Sequence, residues 1–336
     1  MMAQKTLTFN KIVWFSFALI ALLVLPIVSG CSSQKEVQAS TPTASTSGQS
    51  TTENTTESED KWPDKLVFTP IPLEDQSVLT KRYEPFAEYL KSELGIPVEI
   101  FPATSYAAAV EAMRNGHSDL GYFGPFAYIH AASRAGAEAF AGGIKAGGEP
   151  VYYSYFITLK DSGINTLEDL KGKSFLWADP TSASGHLFPK AHLVNELGIP
   201  VDKVDGMFGE VAFSGNHEAS VLAVLNGDAD AAAVYDITYN MVINENKDHP
   251  NMDKLVIFEK TNPIPLPPFT VRKDLPESLK VAIKDAFYNV ANVPELKAYL
   301  EDTGHAGGYV EIADDAYEVV RMTAAGLEMA PEDLVK

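Results

Sequence analysis

The sequence predicts an α/β protein of two similar lobes joined by two chain crossings, a hinged clamshell. Three observations predict it. From Lys65 onward, short apolar runs alternate with helix-spaced segments; Gly142-Gly143 and Gly147-Gly148 precede an apolar run, Val151 to Leu159, too long for a loop; and a second strand–helix series then ends before the proline-rich stretch Pro263 to Pro268. Such βαβαβ order implies mostly parallel sheets with helices on both faces. Ligands of open parallel sheets sit at the C-terminal ends of the strands.

Each element has a local reason. Leu66-Val67-Phe68 is a strand ended by Pro70 and Pro72, and the helix after it carries Leu79, Tyr83, Phe86, Leu90 and Leu94 on one face, with Gly95 as its stop. Strand 97–101, helix 105–114 and strand 119–123 complete the first series. Val151 to Leu159 is then the crossing into the second lobe, which holds strand 174–178, helix 185–197, strand 208–213, helix 217–225 and strand 229–234. Leu255 to Glu259 is the expected return crossing. Helices over 277–289, 294–302 and 314–325 are expected to pack back on the first lobe. Lobe 1 therefore comprises 62–150 and 260–336, and lobe 2 comprises 151–259.

Composition narrows the class. The 336 residues include 46% hydrophobic and 10% aromatic side chains, enough for a packed core. Against 26 Lys plus Arg stand 45 Asp plus Glu, a net charge of −19, which excludes a nucleic-acid binder because phosphate backbones are held by basic patches. One cysteine makes neither an internal disulfide nor a Cys-based zinc site. The histidines show no metal spacing, and nothing calls for a cofactor.

The N-terminus sets the compartment. Lys5 and Lys11 precede the apolar run Ile12 to Val28, which stops at Ser29-Gly30-Cys31. A charged start, an apolar stretch and small residues describe an export signal over 1–30. The run is also close in length to a membrane span, the alternative reading, but Pro26 and the abrupt Ser-Gly-Cys favour export. Losing Lys5 and Lys11 with it moves the net charge from −19 to −21. The segment 31–61 is nearly all Ser, Thr, Gln, Glu and small residues, unable to repay folding entropy, and reads as a tether.

Three strand-to-helix junctions carry the chemistry. The first is Trp177-Ala178-Asp179-Pro180-Thr181-Ser182-Ala183-Ser184-Gly185-His186, where small hydroxyl residues lead into a helix. Unpaired N–H groups and the positive dipole end at a helix start favour an anion, although plain capping explains Ser and Thr there equally. The second is Phe213-Ser214-Gly215-Asn216-His217-Glu218, and the third Thr104-Ser105-Tyr106. His217 is also readable as a capping or buried imidazole and Tyr106 as a core aromatic. Taken together, three junctions from both halves point to an oxyanion held between two lobes.

Enzyme motifs fail by comparison. Ser182 and Ser184 lack the glycine pair of a nucleophile elbow. Gly172-Lys173-Ser174 has Leu167 where a phosphate loop requires Gly, and Val221 stands where a zinc protease places its second His. A Ser184, His217 and Asp236 triad is the hydrolase alternative.

The Val-Ser-Gly-Cys sequence resembles the bacterial lipobox, which makes Cys31 the lipidated first residue of a mature protein on the extracytoplasmic face. Over Lys65 to Pro276 the chain strongly resembles the phosphonate, phosphite and phosphate solute-binding proteins of ABC importers, which have the type II periplasmic-binding fold. The resemblance is carried by Tyr83-Glu84-Pro85-Phe86, Gly121-Tyr122-Phe123-Gly124-Pro125, Asp179-Pro180-Thr181-Ser182-Ala183-Ser184-Gly185 and His217-Glu218-Ala219. It implies a two-lobed type II clamshell, no catalysis, a small phosphorus oxyanion as ligand, an ABC permease as partner and a monomer. A sensor subunit binding the same ligand is the other non-enzymatic reading. The family's Ser-Thr-Ser run falls on Ser182, Ala183 and Ser184, ahead of Gly185; its tyrosines fall on Tyr106 and Tyr152, and its histidine on His217. Ala183 replaces a hydroxyl. Of two carboxylates that grip an aminoalkyl tail in some members, the first has Asp236 adjacent to its place and the second falls in Pro263 to Pro268, which has no acid. The resemblance therefore implies an oxyanion without an ammonium tail.

Overall fold

The computed structural model describes residues 61–330. The expected export segment 1–30, Cys31 and the tether up to residue 60 lie outside the described residues. In chain order the strands and helices begin with β1 (Leu66–Thr69), α1 (Gln76–Leu94), β2 (Val98–Ile100), α2 (Tyr106–Arg114), β3 (Leu120–Tyr122), α3 (Pro125–Ala135) and β4 (Ala137–Gly143). There follow β5 (Val151–Tyr152), β6 (Ser154–Leu159), β7 (Ser174–Trp177), α4 (Phe188–Leu197), β8 (Glu210–Phe213), α5 (His217–Asn226), β9 (Ala231–Tyr235), α6 (Asp236–Glu245) and β10 (Leu255–Lys260). The last are β11 (Ile264–Pro265), β12 (Pro268–Arg272), α7 (Glu277–Asn289), α8 (Lys297–Asp302), β13 (Tyr309–Glu311) and α9 (Glu318–Gly326).

Two sheets share one plan. The first runs β13-β4-β12-β3-β1-β2 and the second β10-β6-β9-β7-β8. In each, three successive strands pair in parallel (β2, β1, β3 and β8, β7, β9), and the third lies beside an antiparallel strand, β12 against β3 and β6 against β9. The sheets are thus mixed rather than mostly parallel. β12 and β6 enter their sheets straight from a crossing, with no intervening helix to reverse the chain, so they run antiparallel.

The crossings are narrower than the sequence predicts. β5 and β11 form a two-stranded antiparallel ribbon in which Tyr152 faces Ile264 and Val151 faces Pro265. Only the first two residues of Val151 to Leu159 cross. The remainder, β6, is an interior strand of the second sheet, and Leu255 to Lys260 is its edge partner, not a crossing. The return therefore falls at 264–265, beyond the expected boundary at 259. Proline suits this short two-stranded ribbon, where Pro265 need not donate to an inner ladder.

α3, β4, α6, β12 and β13 carried no clear sequence pattern. β4, Ala-Glu-Ala-Phe-Ala-Gly-Gly, is strand only because β12 and β13 flank it on both sides.

The first lobe is completed by chain from after the second crossing. The fully buried Phe86 of α1 stacks on Tyr299 of α8 with centroids 5.2 Å apart and meets Phe287 of α7 edge-on at 4.9 Å. Phe269 of β12 and Tyr309 of β13 close the same aromatic cluster. Trp62 donates from Nε1 to Ser278 Oγ at 2.8 Å, so the described chain begins anchored to α7. Phe86→Ala is expected to cost about 3–5 kcal/mol of unfolding free energy, because the cavity opens between segments far apart in sequence. Denaturant unfolding measures it, and a loss under about 1 kcal/mol contradicts this account of the core.

Candidate ligand site between the lobes

Each of the three junctions is built by a cap. Ser105 caps α2, accepting from the Ala108 N–H at 3.1 Å, and makes Tyr106 the first helical residue. Asn216 caps α5, accepting from the Ala219 N–H at 2.7 Å, and does the same for His217. Ser182 caps a wide π-helical turn, Ala183–Leu187, that continues into α4. The capping reading of these residues thus holds, and it is also what aims their neighbours into one place.

That place is a buried cavity lined by Tyr106 from the first lobe, Tyr152 from the crossing ribbon, and Ser182, Ala183, Ser184 and His217 from the second. Each is at most 3% exposed. The lobes are shut over it: the Glu218 N–H donates to the Leu73 carbonyl, the Asp75 N–H donates to the Glu218 carboxylate, and Arg82 pairs with Glu245 at 2.9 Å. The enclosed space is about 10 Å³, near the minimum for one water. A tetrahedral anion therefore enters only as the lobes part.

A hydrogen-bond chain fixes the histidine. The Tyr235 N–H donates to His217 Nδ1 at 3.0 Å, so that nitrogen carries no proton and the neutral ring bears its hydrogen on Nε2. Nε2 lies 3.1 Å from Ser182 Oγ, which also accepts from the Gly185 N–H at 2.9 Å. With both incoming bonds used, the Ser182 hydroxyl proton is committed to neither His217 nor Gly185 and is available to an acceptor. Burial pushes the His217 imidazole down to about 3. The neutral ring is therefore the form present.

The other donors are neutral as well. Burial raises the Tyr106 and Tyr152 phenols well above their ordinary range. The Tyr106 hydroxyl neighbours Ser182 without a hydrogen bond of standard geometry. Among the described residues lining the cavity, none carries a carboxylate, ammonium or guanidinium group. A cage of neutral hydroxyls, oriented by an imidazole whose N–H is held by Ser182, suits an anion whose charge is spread over several oxygens.

Two expected residues stand aside. Gly185 does not line the cavity; its N–H serves Ser182, and a Cβ there would meet Ala178 Cβ at 2.4 Å and His217 Cε1 at 2.9 Å. Asp236 lies behind Tyr235, fully buried, with Lys145 Nζ 2.7 Å from its Oδ2. The triad alternative does not assemble, since His217 bonds Ser182 and a backbone amide, not Ser184 and Asp236.

Residues 68–317 match the family model described as ABC transporter, phosphonate, periplasmic substrate-binding protein. The chain belongs to that family. It is similar to the phosphonates-binding periplasmic protein of Escherichia coli, 34% identical over 72% of this chain and 70% of the relative. It is also similar to the phosphate-import protein PhnD of Mycolicibacterium smegmatis, 32% identical over 79% and 83%. A binding component of an ABC phosphonate transporter from Pseudomonas aeruginosa superposes with a TM-score of 0.73 at 27% identity, covering 80% of this chain and 87% of that one. Membership makes the chain an extracytoplasmic substrate-binding component of an ABC importer, not an enzyme, with the two-lobed type II fold.

Sequence reasoning missed part of this family member's cavity. Tyr122 and Tyr235 line it too, as do Ile71, Leu73 and Pro267. Each tyrosine ends the third parallel strand of its own sheet, the strand-end position where α/β sheets hold ligands, and that was the available signal.

The buried histidines set a pH dependence. His217 is pushed down to about 3, and His186 and His305 to about 4, each by burial. Between those values and the unfolded value near 6.5, the unfolded chain binds more protons than the folded one. Stability is therefore expected to fall as pH drops below about 6.5, with a lower melting temperature at pH 5.5 than at pH 7. A melting temperature that rises on acidification contradicts the neutral, buried assignment.

Proposed function

We propose that this chain is a lipid-anchored receptor that takes a small phosphorus oxyanion, phosphate, phosphite or methylphosphonate, into the cavity between its lobes and presents it to an ABC permease. The observation that carries the reading is the convergence of Tyr106, Tyr152, Ser182, Ser184 and His217, drawn from both lobes and the crossing, on one cavity. Relatives named for phosphate import, phosphonate binding and phosphite binding support the ligand class. No carboxylate lines the cavity to receive an ammonium, and burying one without a partner is costly; this favours an oxyanion with no aminoalkyl tail.

The energetics suffice without a cation. Hydrogen bonds to a charged group contribute roughly 1.5–3 kcal/mol each, so about five donors at the upper part of that range cover the roughly 8 kcal/mol of micromolar binding together with an association cost of about 4 kcal/mol. The overall negative charge opposes this little, because exposed charges more than ~8–10 Å away are screened at physiological salt. A ligand that touches both lobes stabilises only the shut form, so binding drives closure. Lipidation at Cys31 and the polar segment after it place the receptor beside the permease, and the protein works as a monomer.

Calorimetry with phosphate, phosphite and methylphosphonate tests the ligand class: binding of at least one with no chemical change is expected, and binding of none refutes it. Ser184→Ala is expected to weaken that binding by roughly ten- to a hundred-fold with little change in melting temperature; an unchanged affinity removes Ser184 from the site. Wild-type protein is expected to incorporate a labelled fatty acid in expressing cells and Cys31→Ser to lose that label. Wild-type protein without the label refutes the lipid anchor.

A further inference from the structure

Beyond the cavity described above lies a second one between the lobes, lined by Leu79, Arg82, Met241, Ile237, Thr303 and His305. The two share three lining residues, Leu73, Tyr122 and Tyr235. Tyr122 and Tyr235 occupy equivalent places, each the last residue of the third parallel strand of its sheet, one from each lobe. Their meeting divides the interlobe space in two.

Both rings are held firmly. Tyr122 stacks on Phe269 with centroids 4.4 Å apart, and its hydroxyl lies 3.3 Å from His305 Nε2. Tyr235 meets Tyr152 edge-on at 4.7 Å and is only 3% exposed. Its backbone N–H, through His217, belongs to the ligand cage, but its hydroxyl neighbours that of Tyr122 without a hydrogen bond of standard geometry. The ring thus fills space at this point, with its hydroxyl beside that of Tyr122.

We infer that Tyr235, closing against Tyr122, is a specificity-determining partition that limits the fourth substituent on phosphorus to about the size of a methyl group, and that its ring alone keeps a longer alkyl chain out of the second cavity. This rests on the phosphorus-oxyanion reading and deepens it. On the far side Leu79, Ile237 and Met241 give an apolar wall, and the charged Glu74 and Arg82 that also line it are paired with each other at 2.7 Å, so the chemistry admitted once the ring is gone is an uncharged alkyl tail.

The test is calorimetry of wild type, Tyr235→Ala and Tyr235→Phe with methyl-, ethyl- and propylphosphonate. For the wild type, affinity is expected to fall by roughly 30-fold or more from methyl to propyl, as overfilling a packed site does. Tyr235→Ala is expected to bring the two within about three-fold, and Tyr235→Phe to keep the wild-type ratio, since it retains the ring. Should Tyr235→Ala melt too low to assay, Tyr235→Leu supplies a smaller, apolar side chain and is expected to narrow the ratio in the same direction. Wild-type protein that binds propylphosphonate as well as methylphosphonate overturns the partition, as does an unchanged ratio in the truncated variants. Wild type binding no phosphonate, phosphite or phosphate overturns the ligand reading itself and the partition with it. Methylphosphonate binding with an unmoved length cutoff overturns the partition alone.

Discussion

The donation of the Tyr235 N–H to His217 Nδ1 organises the second lobe's half of the site. It joins the end of a central strand to the start of α5 and leaves the imidazole one available proton, on Nε2. That proton goes to Ser182, whose oxygen also receives Gly185 and is thereby oriented at the head of the π-helical turn. One buried backbone amide thus fixes a tautomer, the tautomer fixes a hydroxyl, and the hydroxyl caps a helix. An imidazole that took up a proton there would lose its acceptor and face the amide with a second N–H, which is why burial without a counter-charge suits this role.

Neutrality of the donors is the companion constraint. The charged side chains nearest the cleft are occupied elsewhere: Arg82 is bound by Glu74 at 2.7 Å, with Asp302 and Glu245 around it, and Lys145 by Asp236. With cations withdrawn, an anion is recognised by the number and direction of its hydrogen bonds, and size enters through the aromatic walls. Arg82 with Glu245 and Lys145 with Asp236 also join parts of the chain on either side of the crossings, so the ion pairs contribute to closure more than to ligand recognition.

The hinge shows how topology overrode local pattern. The apolar run Val151 to Leu159 read as one crossing because its residues are uniformly strand-like. Which two residues cross is decided by pairing: β5 finds β11, and β6 finds β9 and β10. Likewise Asp236 read as a ligand group from its position beside a motif, yet β9 ends at Tyr235, which lines the cavity, and Asp236 opens α6, where its carboxylate is taken by Lys145.

By itself the sequence determined the repeated strand–helix order, the helix stop at Gly95, the capping role open to Ser and Thr, and the three junctions that bear Tyr106, Ser182 to Ser184, and His217. Those are local properties, set by periodicity, caps and backbone freedom within a few residues. Only the tertiary structure decided the antiparallel strand in each sheet, the place of the return crossing, the protonation of His217 and the roles of Tyr122 and Tyr235. Each of these depends on partners more than a dozen residues away, and no local pattern encodes which distant groups will meet when the two lobes shut.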